Sequence, residues 1–213
     1  MELPIKILDL VNGLSYVIDD VGCSDDSVII FEDKYILKIS KDVSRLQREM
    51  FKTDWLYGKI PSAKSVMFVE ENGKAYYLRT YLNGVSLIDE RYLNDPLKLI
   101  KLIKKAVDLL RVLDKYDCPF FSNESSGDNF IHGDLCLPNI LTRNDEIIGL
   151  IDLDSSGLGD RWFDYAWLLW SFEYNLNTDY YNEQLLNELG IKMDLKKYLA
   201  YIPKENIEQL KNR

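Results

Sequence analysis

The pattern of apolar residues changes once along the chain, at Asn83-Gly84, and this change restricts the possible folds more than any other feature. Before it, short β-branched and aromatic runs alternate with turn residues, which is typical of antiparallel strands. One segment with helical spacing, residues 42–58, interrupts these runs, and Asp42 is its candidate N-cap. The pair Asn72-Gly73 is a strong hairpin signal. The predicted strands occupy residues 16–22, 27–32, 34–40, 65–71 and 75–81.

After Asn83-Gly84, helical spacing dominates. Residues 96–115 repeat apolar side chains every three or four positions, behind an aspartate and a proline that are typical of a helix start. A strand pair is predicted around Asn144-Asp145, and residues 161–172 again have helical spacing. The sequence therefore predicts an α+β protein with two lobes, residues 1–82 and residues 83–213. The first lobe is expected to hold a five-stranded antiparallel sheet plus one helix, and the second to be mainly helical.

Charge and cysteine content limit the partners and the compartment. A net charge of −9 argues against nucleic acid as a partner, because phosphate backbones select basic surfaces. An acidic surface instead suits a cationic small molecule or no charged partner at all. The cysteines, Cys23, Cys118 and Cys136, are widely spaced and odd in number, which indicates reduced thiols and a cytoplasmic location. We identify no signal peptide and no apolar run long enough to span a membrane, so no membrane association is expected.

A polar cluster interrupts an otherwise apolar stretch at residues 131–140, where His132, Asp134 and Asn139 lie close together. A hairpin over the strand pair that follows would return Asp152 to the side of Asn139. Amide and carboxylate oxygens are ligands that Mg²⁺ accepts, with phosphate oxygens and water completing the shell. A second carboxylate that does not bind the metal, here Asp134, can deprotonate a hydroxyl. The order base, asparagine, aspartate is that of phosphoryl-transfer enzymes.

The same residues resemble a known family. HGDLCLPNI, at residues 132–140, and GLIDLDSSGLGDRWFDYA, at residues 149–166, resemble the catalytic signature of the aminoglycoside 3′-phosphotransferases. These are antibiotic-resistance kinases with a protein-kinase-like fold. The resemblance implies transfer of the γ-phosphate of ATP or GTP, with Mg²⁺, to a hydroxyl of a small cationic substrate.

The resemblance also implies roles for individual residues of the second lobe. Asp134 would be the catalytic base, and Asn139 and Asp152 would bind Mg²⁺. Asp164 would brace the catalytic loop, and His132 would hydrogen-bond to the backbone near Asp152.

In the first lobe the implied roles concern the nucleotide. Lys38 would contact the α- and β-phosphates and pair with Glu49, although such a pair is in isolation more typical of a solvated surface. Ser24, in the turn that begins at Gly22, would donate to the β-phosphate. The backbone of Thr80 and Leu82 would bind adenine.

The chain departs from the family at the acceptor site, so the resemblance is to a shortened form. Family members carry a long helical insertion before the HGD motif, and here only residues 121–131 fill that place. Carboxylates expected near a cationic acceptor are Glu124, Asp128, Asp154, Asp160, Glu205 and Glu208. Two alternatives stay open: a kinase for another small hydroxylated metabolite, and a nucleotide-binding module without catalysis.

Overall fold

The computed structural model describes residues 3–19 and 27–211, and the chain divides into two units, Met1–Asn83 and Gly84–Arg213. The first unit is built on one antiparallel sheet with strand order β1-β2-β3-β5-β4. Its strands are β1 Tyr16–Asp19, β2 Ser27–Phe31, β3 Tyr35–Ser40, β4 Ser65–Glu71 and β5 Lys74–Thr80. The prediction of a five-stranded antiparallel sheet is confirmed. The turn between β4 and β5 has Asn72 and Gly73 at φ of 53° and 70°, as a tight hairpin requires.

Two helices cover opposite faces of this sheet. Helix α1, Ile5–Val11, buries Ile7 and Val11 in a cluster with Leu37 and Leu78. Helix α2, Val43–Leu56, places Leu46 against Ala75 and Tyr77, which alternate with Leu78 along β5. The Asp42 side chain accepts a hydrogen bond from the Arg45 N–H, so the predicted cap of α2 is confirmed.

Helix α1 is additional to the predicted first lobe, which was expected to hold one helix only. This helix has seven residues and no side-chain cap at its N-terminus. Helices of that length are unstable in isolation and form only where tertiary burial stabilises them. Ile7 is fully buried, and this burial is what holds α1 in place.

The second unit is mainly helical, as predicted. Its helices are α3 Glu90–Leu93, α4 Pro96–Leu113, α5 Arg161–Leu176, α6 Asn182–Leu189, α7 Leu195–Tyr201 and α8 Lys204–Lys211. Short strands form two small sheets, with orders β6-β8-β9 and β7-β10. These strands are β6 Val85–Ser86, β7 Asn129–Ile131, β8 Ile140–Arg143, β9 Glu146–Leu150 and β10 Gly157–Gly159. Within the described chain no helix is long and apolar enough to cross a membrane.

Helix α4 follows the predicted start, because Asp95 accepts a hydrogen bond from the Lys98 N–H and Pro96 opens the first turn. Its outer face is tied to the turn of the β8–β9 hairpin. The Lys98 ammonium lies 2.8 Å from the Asp145 carboxylate, and the Lys105 ammonium lies 2.7 Å from that of Glu146. Helix α4 is thus linked to the turn end of this hairpin by two exposed ion pairs.

Candidate active site

The segment between β7 and β8 carries the polar cluster, and Asp164 of α5 holds its start. The two Asp164 carboxylate oxygens accept hydrogen bonds from the backbone N–H groups of His132, at 2.7 Å, and Gly133, at 2.9 Å. Burial raises the pKa of Asp164, while the positive charge of Arg161 and the two N–H donors act in the opposite direction. The prediction that Asp164 braces this loop is confirmed.

Asp134 and Asn139 form a hydrogen-bonded pair. The Asn139 amide nitrogen donates to the Asp134 carboxylate, at 2.8 Å, and to the Asp134 carbonyl oxygen, at 2.9 Å. The donor end of the amide is therefore engaged, and Oδ1 is the atom that Asn139 can offer to a cation. Asn139 is buried and Asp134 is partly exposed, so a hydroxyl can approach the carboxylate while its partner stays fixed.

The β8–β9 hairpin returns the chain to Asn139, as predicted. Ile140 pairs with Leu150, and the Ile151 N–H donates to the Asn139 carbonyl oxygen at 3.0 Å. Asp152, the next residue, is exposed and has a φ of 59°. Mg²⁺ commonly uses one or two protein oxygens plus phosphates and water, so Asn139 and Asp152 fit this metal. No cluster of three or more His, Cys, Asp or Glu side chains suited to another metal occurs in the described part of the chain.

The prediction for His132 is wrong. The His132 side chain is completely buried, and neither ring nitrogen has a hydrogen-bond partner among the described residues. The contact that fixes this residue is made instead by its backbone N–H, with Asp164. His132 therefore fills space under the loop, and the sequence motif could not distinguish backbone from side-chain bonding.

Gly133 gives the loop a conformation that other residues rarely adopt. Its φ is +81°, and an added Cβ would meet the backbone carbonyl of Ser155.

We expect Gly133→Ala to reduce the free energy of unfolding by roughly 2–4 kcal/mol, from backbone strain and overpacking together. Urea denaturation of the variant measures this. Gly190→Ala is the matched control, because Gly190 also has a positive φ, +68°, but open space around it. An equal loss in both variants would mean that the Ser155 contact is relaxed without cost.

Asp114 and Arg161, for which no role was predicted, position strand β7 before the loop. Asp114, at the end of α4, accepts hydrogen bonds from the Phe130 N–H at 2.9 Å and from Arg161 at 2.6 Å. Arg161 also donates to the Phe130 carbonyl at 3.0 Å. The position of Arg161 next to the sequence motif could have suggested a role for this residue. Its partner Asp114 lies 47 residues earlier in the chain, and no local sequence pattern marks it.

Cys136, inside the loop, carries a partly buried thiol. Burial raises the pKa of its thiol above the usual range, and the neighbouring charge of Asp134 acts in the same direction. The thiol therefore stays protonated at neutral pH.

In the first unit, Lys38 and Glu49 form the predicted pair. The Lys38 ammonium lies 2.8 Å from the Glu49 carboxylate, and both side chains are buried, so this is not a solvated surface pair.

Thr80 ends β5, and its N–H already donates to the Lys64 carbonyl oxygen. The backbone of Thr80 can thus offer only its carbonyl oxygen to a base, while Leu82 follows in the loop. Ser24 lies outside the described residues.

A cavity of about 360 Å³ lies in the first unit, beside the end of β5. Val17, Ile30 and Tyr81 supply its apolar and aromatic wall, and Glu32 and Asp33 lie at its edge. The Tyr81 N–H at this cavity already donates to the Lys34 carbonyl oxygen.

The predicted acceptor carboxylates differ in their surroundings. The Asp160 carboxylate caps α5 and binds Lys197 at 2.6 Å and the Tyr201 hydroxyl at 2.9 Å. Partial burial raises its pKa, but the Lys197 hydrogen bond and those of Trp162 and Tyr201 outweigh this and lower it. Asp160 is therefore a structural group, and its prediction as an acceptor carboxylate is corrected.

The other acceptor candidates stay accessible. Asp128, Glu205 and Glu208 are exposed, and exposed Glu124 accepts a hydrogen bond from the Ser155 hydroxyl at 3.0 Å. Asp154 is only partly exposed. The described chain between α4 and β7 contains no helix, as expected from the short connection there.

The sequence is similar to those of known proteins. Residues 125–190 match the model of the phosphotransferase enzyme family. The chain is 25% identical over 216 residues to a probable aminoglycoside 3′-phosphotransferase of Lactococcus lactis subsp. lactis, covering 80% of this chain and 82% of the relative. It is 27% identical over 228 residues to an aminoglycoside 3′-phosphotransferase of Enterococcus faecalis, covering 85% of each.

Solved structures share the fold. The aminoglycoside phosphotransferase APH(3″)-Id from Streptomyces rimosus superimposes with a TM-score of 0.75 at 18% identity, over 96% of this chain and 95% of that one. Its complex with ADP and streptomycin gives a TM-score of 0.74, again at 18% identity, over 97% and 96% of the two chains.

Proposed function

We propose, from the match of residues 125–190 to the phosphotransferase enzyme family and the similarity to aminoglycoside 3′-phosphotransferases, that the chain transfers the γ-phosphate of a nucleoside triphosphate to a hydroxyl of an aminoglycoside. The observation that carries the proposal is the hydrogen-bonded pair of Asp134 and Asn139, held beside Asp152 on a loop that Asp164 fixes. The ADP and streptomycin complex of the Streptomyces rimosus enzyme supports the same substrates.

The chemistry assigned to Asp134 is that of a general base. Its carboxylate accepts the proton of the acceptor hydroxyl as that oxygen bonds to the γ-phosphorus. The bond from the γ-phosphorus to the bridging oxygen breaks, and the nucleoside diphosphate leaves with that electron pair. The Asn139 amide keeps Asp134 oriented through its contact with Oδ2, and the proton then passes from Asp134 to solvent.

Asn139 Oδ1 and the Asp152 carboxylate would hold Mg²⁺, which when bound neutralises charge on the β- and γ-phosphates. Lys38, oriented by Glu49, would contact the α- and β-phosphates, and Ser24 would donate to the β-phosphate. The Thr80 carbonyl and the backbone of Leu82 would bind the base.

The acceptor is proposed to be cationic, and its contacts to be exposed. Glu124 and Asp128 lie on the short connection before the catalytic loop, and both are solvent-accessible. A cleft lined by carboxylates concentrates cations, but exposed contacts are screened by salt. The second candidate is a kinase for another small hydroxylated metabolite.

Calorimetric titration with kanamycin-type ligands, in the presence of Mg²⁺ and a non-hydrolysable nucleotide, tests the acceptor class. We expect weak binding that falls by about tenfold or more between low and high ionic strength, because exposed charge pairs are screened over roughly 10 Å at 0.1 M salt. The double variant Glu124→Gln, Asp128→Asn should lower affinity further, whereas Glu183→Gln, a distant acidic change on α6, should not. Turnover of an uncharged sugar or alcohol without any aminoglycoside binding would favour the second candidate.

A further inference from the structure

Arg79 is a buried cation for which the proposed chemistry has no use. It lies near the end of β5, and its side chain and backbone together are only 5% exposed. Its Nε atom is buried and has no hydrogen-bond partner among the described residues. A guanidinium carries only donors and does not lose its proton, so burial without an acceptor is costly.

The neighbours of Arg79 do not supply that acceptor. Directly opposite on β3 is Ile36, which is apolar, and opposite on β4 is Ser65. The Ser65 hydroxyl lies 2.7 Å from the Tyr77 hydroxyl, and the Glu49 carboxylate pairs with Lys38 at 2.8 Å. The β4–β5 register shifts just after Ser65, and such bulges often adjoin binding sites. An orphaned buried donor in this setting indicates a ligand acceptor.

The strand register places Arg79 on the side of the sheet that carries Lys38. Ile36 and Lys38 are two residues apart in β3, so their side chains leave the same face. Arg79 pairs with Ile36, and residues paired across a sheet share a face. Arg79 also directly precedes Thr80. On this face Lys38 therefore marks the phosphate end, and Arg79 lies at the base end.

We propose that Arg79 is a specificity-determining residue that selects a 6-oxopurine, such as guanine or hypoxanthine, over adenine. This inference rests on the proposed function only in that a nucleotide binds this face. The O6 and N7 atoms of guanine both accept hydrogen bonds, and arginine binds that pair of atoms in a bidentate manner. Adenine presents an amino group at position 6, whose donors would face the donors of Arg79. The guanidinium thus lowers affinity for adenine and raises it for guanine.

Titration of the full chain with GDP, IDP and ADP in Mg²⁺, without acceptor, tests the proposal. We expect GDP and IDP to bind at least about tenfold more tightly than ADP, the discrimination that one bidentate arginine contact supplies. IDP lacks the 2-amino group of GDP, so its agreement with GDP isolates the 6-oxo group. Arg79→Met should weaken GDP and IDP binding by about tenfold and bring the GDP to ADP affinity ratio close to one.

Arg91→Met is the matched control, since it removes the same charge from an exposed arginine of the second unit. It should leave the affinity ratio unchanged.

The melting temperature of Arg79→Met should be equal to or above that of the wild type, because the change removes an unpaired buried charge. A lower melting temperature with an unchanged ratio would show a structural role and overturn the proposal. Equal weakening of GDP, IDP and ADP binding in Arg79→Met would also overturn the proposal. So would a wild-type protein that binds ADP as tightly as GDP or more tightly. Because no acceptor is present, a preference for GDP stands even if no aminoglycoside is phosphorylated.

Discussion

Replacing Asp134 by Asn is expected to slow phosphoryl transfer by at least about 10²-fold while nucleotide affinity stays nearly unchanged. The variant keeps the shape of the side chain, and its amide oxygen can still accept the hydrogen bond from Asn139 that is made now at 2.8 Å. What it loses is the ability to take the proton from the acceptor hydroxyl. Single-turnover kinetics with saturating nucleotide measures the transfer step directly.

Asp152→Asn is the informative comparison, because it should weaken nucleotide binding in the presence of Mg²⁺ and have little effect when Mg²⁺ is removed. That carboxylate is proposed to offset the charge of the metal beside the phosphates. Asp179→Asn, an exposed acidic change outside the proposed site, controls for the loss of one negative charge. If the Asp134 and Asp152 variants both turned over at the wild-type rate, the assignment of the active site would be wrong.

The second large effect is expected on stability. Asp164→Ala should lower the free energy of unfolding by roughly 3–5 kcal/mol, because two buried N–H groups lose their acceptor at about 1–3 kcal/mol each. The groups are those of His132 and Gly133, which now donate to the two oxygens of one carboxylate. Urea denaturation followed by circular dichroism measures the loss.

Asp164→Asn should fall between the wild type and Asp164→Ala, since one amide oxygen can accept from only one of the two N–H groups while the NH₂ group faces the other. Asp179→Ala, at an exposed position, is the control and should change stability by less than about 0.5 kcal/mol. A loss below about 1 kcal/mol for Asp164→Ala would mean that water replaces the carboxylate and that the loop does not depend on it.

Features with a local physical cause were predictable from sequence. Asp42 and Asp95 cap helices because a short carboxylate reaches an N–H three residues on, and Asn72-Gly73 turns because both residues tolerate positive φ. The approach of Asp152 to Asn139 also follows from a local rule, since a tight hairpin brings its two ends together.

Features that depend on distant partners were not predictable. Helix α1 forms because the sheet buries Ile7, not because of its own residues. Asp160 looked available to a cationic acceptor, but Lys197, on a helix far along the chain, already pairs with it. The orphaned side chain of Arg79 could not be recognised either, because an arginine in a strand is ordinarily solvated or paired.

The anchoring of the β8–β9 hairpin affects the thermodynamics of metal binding. At one end the exposed ion pairs of Lys98 and Lys105 link the turn to α4, and at the other the Ile151 N–H holds the chain against Asn139. The loss of conformational entropy needed to bring the two proposed oxygen ligands together thus occurs on folding, before any cation arrives. Such preorganisation makes binding less dependent on ordering of the protein. Ordering the flexible triphosphate of the nucleotide is then one of the unfavourable terms left to binding.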